Sequence, residues 1–228
     1  MRRSRLAATV ASVVVLAGCG GVNPGAAATV DGTTIPLSEV DAMARAFCAA
    51  DLASAEMQGQ APTPRDTADY RNRVLGTLVN AEVASAAVDD LGIEVPESAS
   101  APDLNQFEEL FAELSEEDAE ALRDYIDVFG ELDASTQAIG RERGGGKVAD
   151  DPEAAAAAGQ QYLAERADKA DIELDPRFGT LTDGQVVGGS GSLSVPAAGG
   201  AKAAKPADAA DAESDAVDAD APASQVCG

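Results

Sequence analysis

The sequence predicts a mainly α-helical domain with a small β element that joins its N- and C-terminal segments, between an N-terminal leader and a disordered acidic tail. Apolar residues recur at helical spacing in capped segments. The aromatic residues, three Tyr and five Phe, all lie between Phe47 and Phe178. Beyond residue 184 the composition shifts to Gly, Ser, Ala, Pro and Asp without periodicity, which does not support a packed core.

Composition and charge restrict the classes of function. The 228 residues are 45% hydrophobic but only 4% aromatic and include no Trp, so the core must consist mainly of Ala, Val and Leu. A net charge of −24 disfavours nucleic acid and anionic lipid surfaces, since both require clustered Lys and Arg. The chain has no His, the usual general base and metal ligand. We therefore expect no enzyme, no catalytic residue, no metal and no cofactor.

The first residues are typical of an export signal. Arg2, Arg3 and Arg5 precede an uncharged run from Leu6 to Gly18, which matches a basic n-region followed by a short apolar h-region. This run of about 13 residues is shorter than the stretch of about 20 that a transmembrane helix needs. We interpret residues 1–18 as a signal peptide that is removed.

The end of the leader resembles the lipobox of bacterial lipoproteins. Leu16, Ala17 and Gly18 precede Cys19, and the resemblance implies that the Cys19 sulfur receives a diacylglyceryl group before cleavage. Acyl chains on this residue would anchor the exported protein to the outer face of the cell membrane, with residues 19–27 as a linker. The alternative is an ordinary cleaved signal that happens to contain a Cys.

Export changes the interpretation of the other two cysteines. Cys48 and Cys227 are an even pair in a compartment that tolerates disulfides. A bridge would give the tail a reason to end in Cys, whereas the alternative is two unpaired thiols with Cys48 as a small buried residue. The sequence leaves both alternatives open, because it does not supply the distance between the Cα atoms.

The elements of the domain begin with a hairpin and a helix. Asp31-Gly32 lies between the β-leaning segments 28–30 and 33–35, which predicts a hairpin. The stretch Ser38 to Asp41 then resembles a capping box. The helix that follows has an apolar stripe of Val40, Met43, Ala44, Phe47 and Cys48.

Three further helices are predicted before residue 130. Thr63 to Asp66 offers an N-terminal cap for a long helix that ends at Leu91-Gly92, with Tyr70, Val74, Leu78 and Ala81 on its buried face. A second stripe consists of Leu104, Phe107, Phe111 and Leu114. Ser115 caps the next helix, whose acidic first turn we attribute to the helix dipole, and whose apolar positions are Leu122, Tyr125, Ile126 and Phe129.

The remainder of the domain is predicted to be a loop, a helix and a strand. The sequence GRERGGGK at 140–147 does not fit a phosphate-binding loop, because Arg141 and Val148 stand where a Gly and a hydroxyl residue are required, so we expect a flexible loop. Asp151-Pro152 begins a helix that ends near Lys169. The segment 172–174 follows this helix as a short strand. The predicted domain covers residues 28–184, and 185–228 form the tail.

The order of these segments resembles the chaperone core of the SurA and PrsA family of exported foldases. The features are Val30, Gly32, Ile35 and Glu39 at the start of the first helix, the segment 91–95 that closes a helix, and the late turn at 176–179. The resemblance spans residues 28–184. Family members that are prolyl isomerases insert a parvulin domain whose site uses His. This chain has no His, and the interval from residue 130 to 173 is too short for that domain.

The resemblance implies a membrane-anchored chaperone for unfolded exported proteins, without prolyl isomerase activity. Such a core would pair the first hairpin with residues 172–174, which brings the two ends of the domain together. It would hold an extended segment in a groove between helices. The candidate groove residues, each of which ordinary core packing also explains, are Tyr70, Phe107, Phe111, Tyr125 and Phe129. The alternative function is a cell-surface lipoprotein that recruits one specific folded partner. The sequence does not determine the oligomeric state.

Overall fold

The structure, a computed structural model, describes residues 24–188 and 226–227. The predicted signal peptide, Cys19 and most of the predicted linker and tail lie outside the described residues. The described chain is mainly helical with a small β element, which confirms the predicted fold class.

The strands are short and the helices are long. The strands are β1 (Ala26–Val30), β2 (Thr33–Pro36), β3 (Arg65–Asp66), β4 (Ile172–Leu174), β5 (Gly179–Thr182), β6 (Gln185–Gly188) and β7 (Val226–Cys227). The helices are α1 (Leu37–Met57), α2 (Thr67–Leu91), α3 (Glu97–Ser100), α4 (Glu108–Glu113), α5 (Glu116–Gly144), α6 (Gly146–Ala149) and α7 (Pro152–Ala167). Single 3₁₀ turns lie at Leu104–Phe107 and Pro176–Phe178.

The predicted hairpin and its pairing with the late strand are confirmed. The sheet has the order β2-β1-β4, and Ala28 pairs with Leu174. Asp31 and Gly32 form the turn with φ of 48° and 89°, the left-handed conformation that a two-residue hairpin requires. The Asp31 carboxylate also accepts a hydrogen bond from the Asp171 backbone N–H at 2.8 Å. The two ends of the domain therefore meet in one antiparallel sheet.

Two predicted N-terminal caps are wrong. Helix α1 begins at Leu37, before the predicted Ser38 cap, and has no side-chain cap. The Leu37 N–H instead donates to the Gly25 carbonyl at 2.8 Å, because β2 leads directly into the helix. Helix α2 is capped by Asp66 and not by Thr63. The pairing of β3 with β7 holds the residues up to Asp66 in an extended conformation.

The middle of the chain departs from the predicted elements at two points. The stripe from Leu104 to Leu114 is not one helix but a 3₁₀ turn followed by α4, which ends at Leu114 in extended backbone. Helix α5 has the predicted Ser115 cap, whose hydroxyl accepts from the Asp118 N–H at 3.1 Å. It continues to Gly144 through the segment predicted as a loop. The reason is packing, since Gly140 on α5 lies against α7.

The core has a main part and a smaller part. The main part lies between α1, α2, α5, α7 and the sheet, and its largest fully buried side chains are Phe178, Leu75 and Ile139. The smaller part contains Phe111 and Leu122, together with alanines of α1 and α5. The predicted apolar faces of α1 and α2 point into the main core, so the aromatic-poor composition is compatible with a closed interior.

The predicted domain boundary at residue 184 is wrong. Residues 185–188 form β6, which pairs with β5. Val226 and Cys227 form β7, which pairs with Asp66 and Arg65. The packed domain therefore includes two segments that composition assigned to the tail, because each is held by pairing with a strand and not by an apolar periodicity of its own.

Candidate functional site

The five candidate groove residues do not line a common groove. Tyr70 and Tyr125 are buried in the main core, and Phe111 is buried in the smaller core. Phe107 is half-buried beside Phe111, at a ring distance of 6.1 Å. Phe129 has 54% of its surface exposed. Four of the five side chains thus take part in packing, the alternative that the sequence left open.

Tyr70 links α2 to α1 inside the fold. Its hydroxyl donates to the Asp51 carboxylate at 2.6 Å. Burial, together with this hydrogen bond and the Asp51 charge, raises the pKa of Tyr70 to about 12. The ring is therefore a neutral, fixed part of the interior at physiological pH.

Tyr125 lies where α1, α2 and α5 meet. Its ring is edge-on to Phe47 with centroids 4.5 Å apart, and its hydroxyl is 3.0 Å from the Thr77 hydroxyl. Phe129, one turn later, is stacked on Tyr125 at 6.4 Å. Edge-on and offset pairs of this kind stabilise a core beyond the area they bury. Phe129 is the candidate whose outer face is available for contact.

A polar cleft lies between α2 and β6, and we call it the α2–β6 cleft. Its volume is about 750 Å³, within the range of ligand-binding clefts. Residues 184–188 form one wall, and Arg65 of β3 also contributes. The wall from α2 presents Asp69, Asn72, Arg73, Gly76, Thr77 and Asn80.

The β5–β6 hairpin forms a strand edge along this cleft. Asp183 and Gly184 make the turn with φ of 50° and 74°. The Asn80 side-chain amide donates to the Gly184 carbonyl at 2.8 Å and fixes the turn against α2. In the part of the chain that is described, β6 has β5 as its single strand neighbour. Its second edge therefore has no strand partner there.

The charge of the α2–β6 cleft differs from that of the whole protein. Arg65 and Arg73 form no ion pair with any residue that the structure describes. Asp69 is the one carboxylate among the lining residues. The cleft is thus locally cationic in a chain whose net charge is −24, and an anionic group would be the favoured charged occupant.

Sequence reasoning missed this cleft although two signals were present. The polar side chains of α2 recur at helical spacing beside its apolar face, a pattern that an ordinary solvent-exposed helix face shares. The segment TLTDGQVV has the Asp-Gly turn and flanking Thr and Val of a hairpin. The composition changes at residue 184, inside this hairpin, so the predicted domain boundary divides it.

The structure joins Cys48 and Cys227 in a disulfide with a Cα–Cα distance of 5.7 Å. This bond connects α1 to β7, and β7 pairs with β3, the strand that contains Arg65. Cys227 is 3% exposed. Residues 226–227 are thereby fixed beside one wall of the α2–β6 cleft, whereas the third cysteine, Cys19, lies outside the described residues.

Comparisons with known proteins identify no relative: no model of a protein family matches the chain, and no curated protein and no solved structure is significantly similar to it. In residues 24–188 and 226–227 no helix is long and apolar enough to cross a membrane. The same residues contain no group of three His, Cys, Asp or Glu side chains placed to hold a metal ion.

Proposed function

We propose that the protein is an exported chaperone, anchored to the outer face of the cell membrane through Cys19, that holds unfolded exported polypeptides without isomerising their prolyl bonds. The resemblance of its segments to the SurA and PrsA chaperone core motivates this function. The anchor rests on the lipobox-like sequence before Cys19.

The observation that carries the proposal is the pairing of β1 with β4. It brings two of the three chain segments whose motifs resemble that family close together, Val30 to Glu39 and Pro176 to Gly179. Asp175, between β4 and the Pro176–Phe178 turn, holds Arg177 through two hydrogen bonds of 2.8 Å.

The surface also suits a protein that binds unfolded chains. Three large apolar side chains are strongly exposed in the described part: Met57 (48%), Phe129 (54%) and Val187 (42%). Single exposed apolar side chains are common on protein surfaces, so the charge is the more informative feature. A net charge of −24 would keep a loaded complex soluble by mutual repulsion.

Aggregation of a client tests the proposal. The chain from Gly20 to Gly228, which contains every described residue, is mixed at increasing ratio with a chemically unfolded exported protein while light scattering is followed. We expect suppression that saturates with the ratio. A client whose refolding is limited by prolyl isomerisation should refold with an unchanged slow phase.

An inert protein of similar mass and charge is the control, because charge alone reduces aggregation. Absence of suppression at excess chain would contradict the chaperone function. Faster refolding in the slow phase would contradict the absence of isomerase activity. Capture of one folded protein at a fixed ratio in a crosslinked pull-down would favour the alternative, a lipoprotein that recruits a specific partner.

A further inference from the structure

We propose that the α2–β6 cleft is a binding site for a ligand with two carboxylate groups, which the guanidinium groups of Arg65 and Arg73 hold. The ligand is a small dicarboxylic acid or the acidic side chains of a short peptide. Such binding is independent of the chaperone function, and it adds an anion-binding site to a chain whose net charge is −24.

The cleft is closed toward the middle of α2 and open toward the start of this helix. A Cβ at Gly76 would lie 3.6 Å from the Gly184 carbonyl oxygen and 3.7 Å from the Val186 nitrogen, so helix and strand are in direct contact there. Asn80, one turn later, donates to Gly184 at 2.8 Å. The strand therefore runs opposite to the helix, and its last two residues lie toward the two arginines. The open part of the cleft is at that end.

The two arginines differ from the other arginines of the described chain in having no side-chain partner. Arg65 and Arg73 contact no carboxylate, aromatic ring or side-chain amide that the structure describes. Each of the other described arginines makes such a contact: Arg45, Arg71, Arg123, Arg141, Arg143, Arg166 and Arg177. In a chain with 40 Asp and Glu residues, two unpaired arginines at one cleft indicate charges that are available to a ligand.

The two guanidinium charges act in one neighbourhood although they come from β3 and α2. Burial, together with the hydrogen bond to Asp51 and its charge, raises the pKa of Tyr70 to about 12, and the charges of Arg65 and Arg73 both act in the opposite direction. Each arginine is thus close enough to Tyr70 to affect its hydroxyl. One ligand in the cleft is within reach of both side chains.

The lining favours two separate carboxylates over a single compact anion. Guanidinium groups bind carboxylates through paired hydrogen bonds. Asp69, the one carboxylate of the lining, lies four positions from each arginine in the sequence. A phosphate dianion would hold both of its charges beside Asp69, whereas a dicarboxylate places one charge at each arginine. Asn72 and Thr77 offer amide and hydroxyl groups to the remaining polar atoms of the ligand.

Calorimetric titration of the chain from Gly20 to Gly228 tests the site. The probes are glutarate, its uncharged diamide, inorganic phosphate, and a short peptide with two Glu residues separated by Gly. We expect a carboxylate probe to bind at least about tenfold more tightly than the diamide and phosphate. Binding of glutarate supports a free dicarboxylic acid as the ligand, and binding of the peptide alone supports acidic side chains. Tighter binding of phosphate, or no binding of either carboxylate probe, would overturn the proposal.

Two double variants with an equal change in charge locate the site. Arg65→Gln with Arg73→Gln should weaken the binding of the carboxylate probe at least about tenfold. The matched control, Arg141→Gln with Arg143→Gln, removes two charges from α5 outside the cleft lining and should keep the affinity within about twofold. Equal losses in the two variants would show a general charge effect and overturn the site.

Asp69→Asn keeps the test decisive if the arginine variant does not fold. Removal of this carboxylate leaves both arginine charges uncompensated within the lining, so glutarate should bind about threefold to tenfold more tightly. Unchanged or weaker binding would overturn the electrostatic role of the cleft.

A final variant distinguishes an external ligand from the chain itself. It carries Asn in place of Asp215, Asp218 and Asp220, and we expect it to bind the probes as the unchanged chain does. If only this variant binds them, the chain's own acidic residues compete for the cleft and an external carboxylate ligand is overturned.

Discussion

The ion pair between Asp175 and Arg177 stabilises the turn that closes the domain. Both side chains are largely buried, and the Arg177 guanidinium makes two hydrogen bonds of 2.8 Å to the Asp175 carboxylate. Asp175 also accepts from the Arg177 backbone N–H at 2.9 Å. The Arg177 side-chain hydrogen bond holds the pKa of Asp175 below its ordinary value, with burial acting in the opposite direction.

Arg177→Gln should therefore lower the free energy of unfolding at pH 7 by about 2 to 3 kcal/mol, because a buried carboxylate loses its charged partner. A lowered pKa in the fold contributes stability above the unfolded pKa of about 4, and this contribution disappears as the pH falls through the folded pKa. Urea unfolding at pH 7 and pH 3 measures both effects.

The control for this variant is Arg141→Gln. Arg141 is exposed and donates to the Gln137 side chain at 2.9 Å, so its replacement should change the unfolding free energy by no more than about 0.5 kcal/mol. Equal effects of the two substitutions would show that the Asp175 pair contributes no more than a surface contact.

The fold disfavours the ionised form of the Glu39 side chain. Burial, followed by the charges of Glu82 and Asp124, raises the pKa of Glu39. The penalty on the ionised form is present at neutral pH and absent below the unfolded pKa of about 4.3. We expect Glu39→Gln to raise the Tm at pH 7 and to leave it unchanged near pH 3. A variant that is less stable at pH 7 would contradict this interpretation.

The contact between α5 and α7 depends on two glycines in helical positions. A Cβ at Gly140 would lie 1.7 Å from the Ala155 carbonyl oxygen, and a Cβ at Gly159 would lie 1.9 Å from the Thr136 carbonyl oxygen. The two helix backbones thus approach as closely as glycine alone permits. This close approach explains why α5 continues through the Gly-rich segment that local sequence predicts as a loop.

Gly159→Ala should lower the free energy of unfolding by about 3 kcal/mol, although Ala favours helix, because the neighbouring backbone must move. The matched control is Gly76→Ala in α2. There the added Cβ would meet its nearest atom at 3.6 Å, so the substitution should be neutral or stabilise by up to about 1 kcal/mol. Chemical denaturation of both variants checks the difference, and equal effects would contradict the proposed backbone contact.

Local signals in the sequence predict some elements and not others. The caps at Ser115 and Asp151, and the C-terminal Gly92 of α2, follow from residues within one turn of the helix end. The start of α1 does not, because the Leu37 N–H is satisfied by Gly25 from outside the helix. Local sequence patterns do not reveal element boundaries that tertiary hydrogen bonds determine. They also do not reveal that Gly140 and Gly159 pack two helices together.

The Cys48–Cys227 disulfide connects nearly the whole length of the described domain. The two residues are separated by 179 positions, and a bond that closes so long a loop restricts the unfolded chain by up to about 5 kcal/mol in the chain-entropy account. Together with the β3–β7 pairing, it holds residues 226–227 against the start of α2. The sequence could suggest this pair from its even count but could not supply its geometry.

The double variant Cys48→Ser with Cys227→Ser should lower the free energy of unfolding by about 2 to 5 kcal/mol relative to the oxidised chain. Urea unfolding with and without reductant measures the effect. Reductant should destabilise the unchanged chain and leave the double variant unaffected. Identical unfolding midpoints for the oxidised and reduced chain would contradict a stabilising disulfide.

At the scale of the whole molecule, features that local sequence signals predict differ from features that depend on contacts between distant segments. The mainly helical class could be predicted because apolar spacing and turn residues are local, whereas the β1–β4 closure was expected from the order of segments that the resemblance rests on. The candidate site could not, because the α2–β6 cleft joins a helix near the start of the domain to a hairpin near its end. The aromatic residues chosen as a groove have the same spacing as core residues, and four of them pack as such.

The claim that this domain holds unfolded polypeptides is tested most directly with two forms of one exported protein, native and permanently unfolded by reduction and carboxymethylation. Each form is labelled and titrated with the chain from Gly20 to Gly228 while anisotropy is measured. We expect the unfolded form to bind at least about tenfold more tightly than the native form. Equal or tighter binding of the native form, or no binding of either, would contradict the claim.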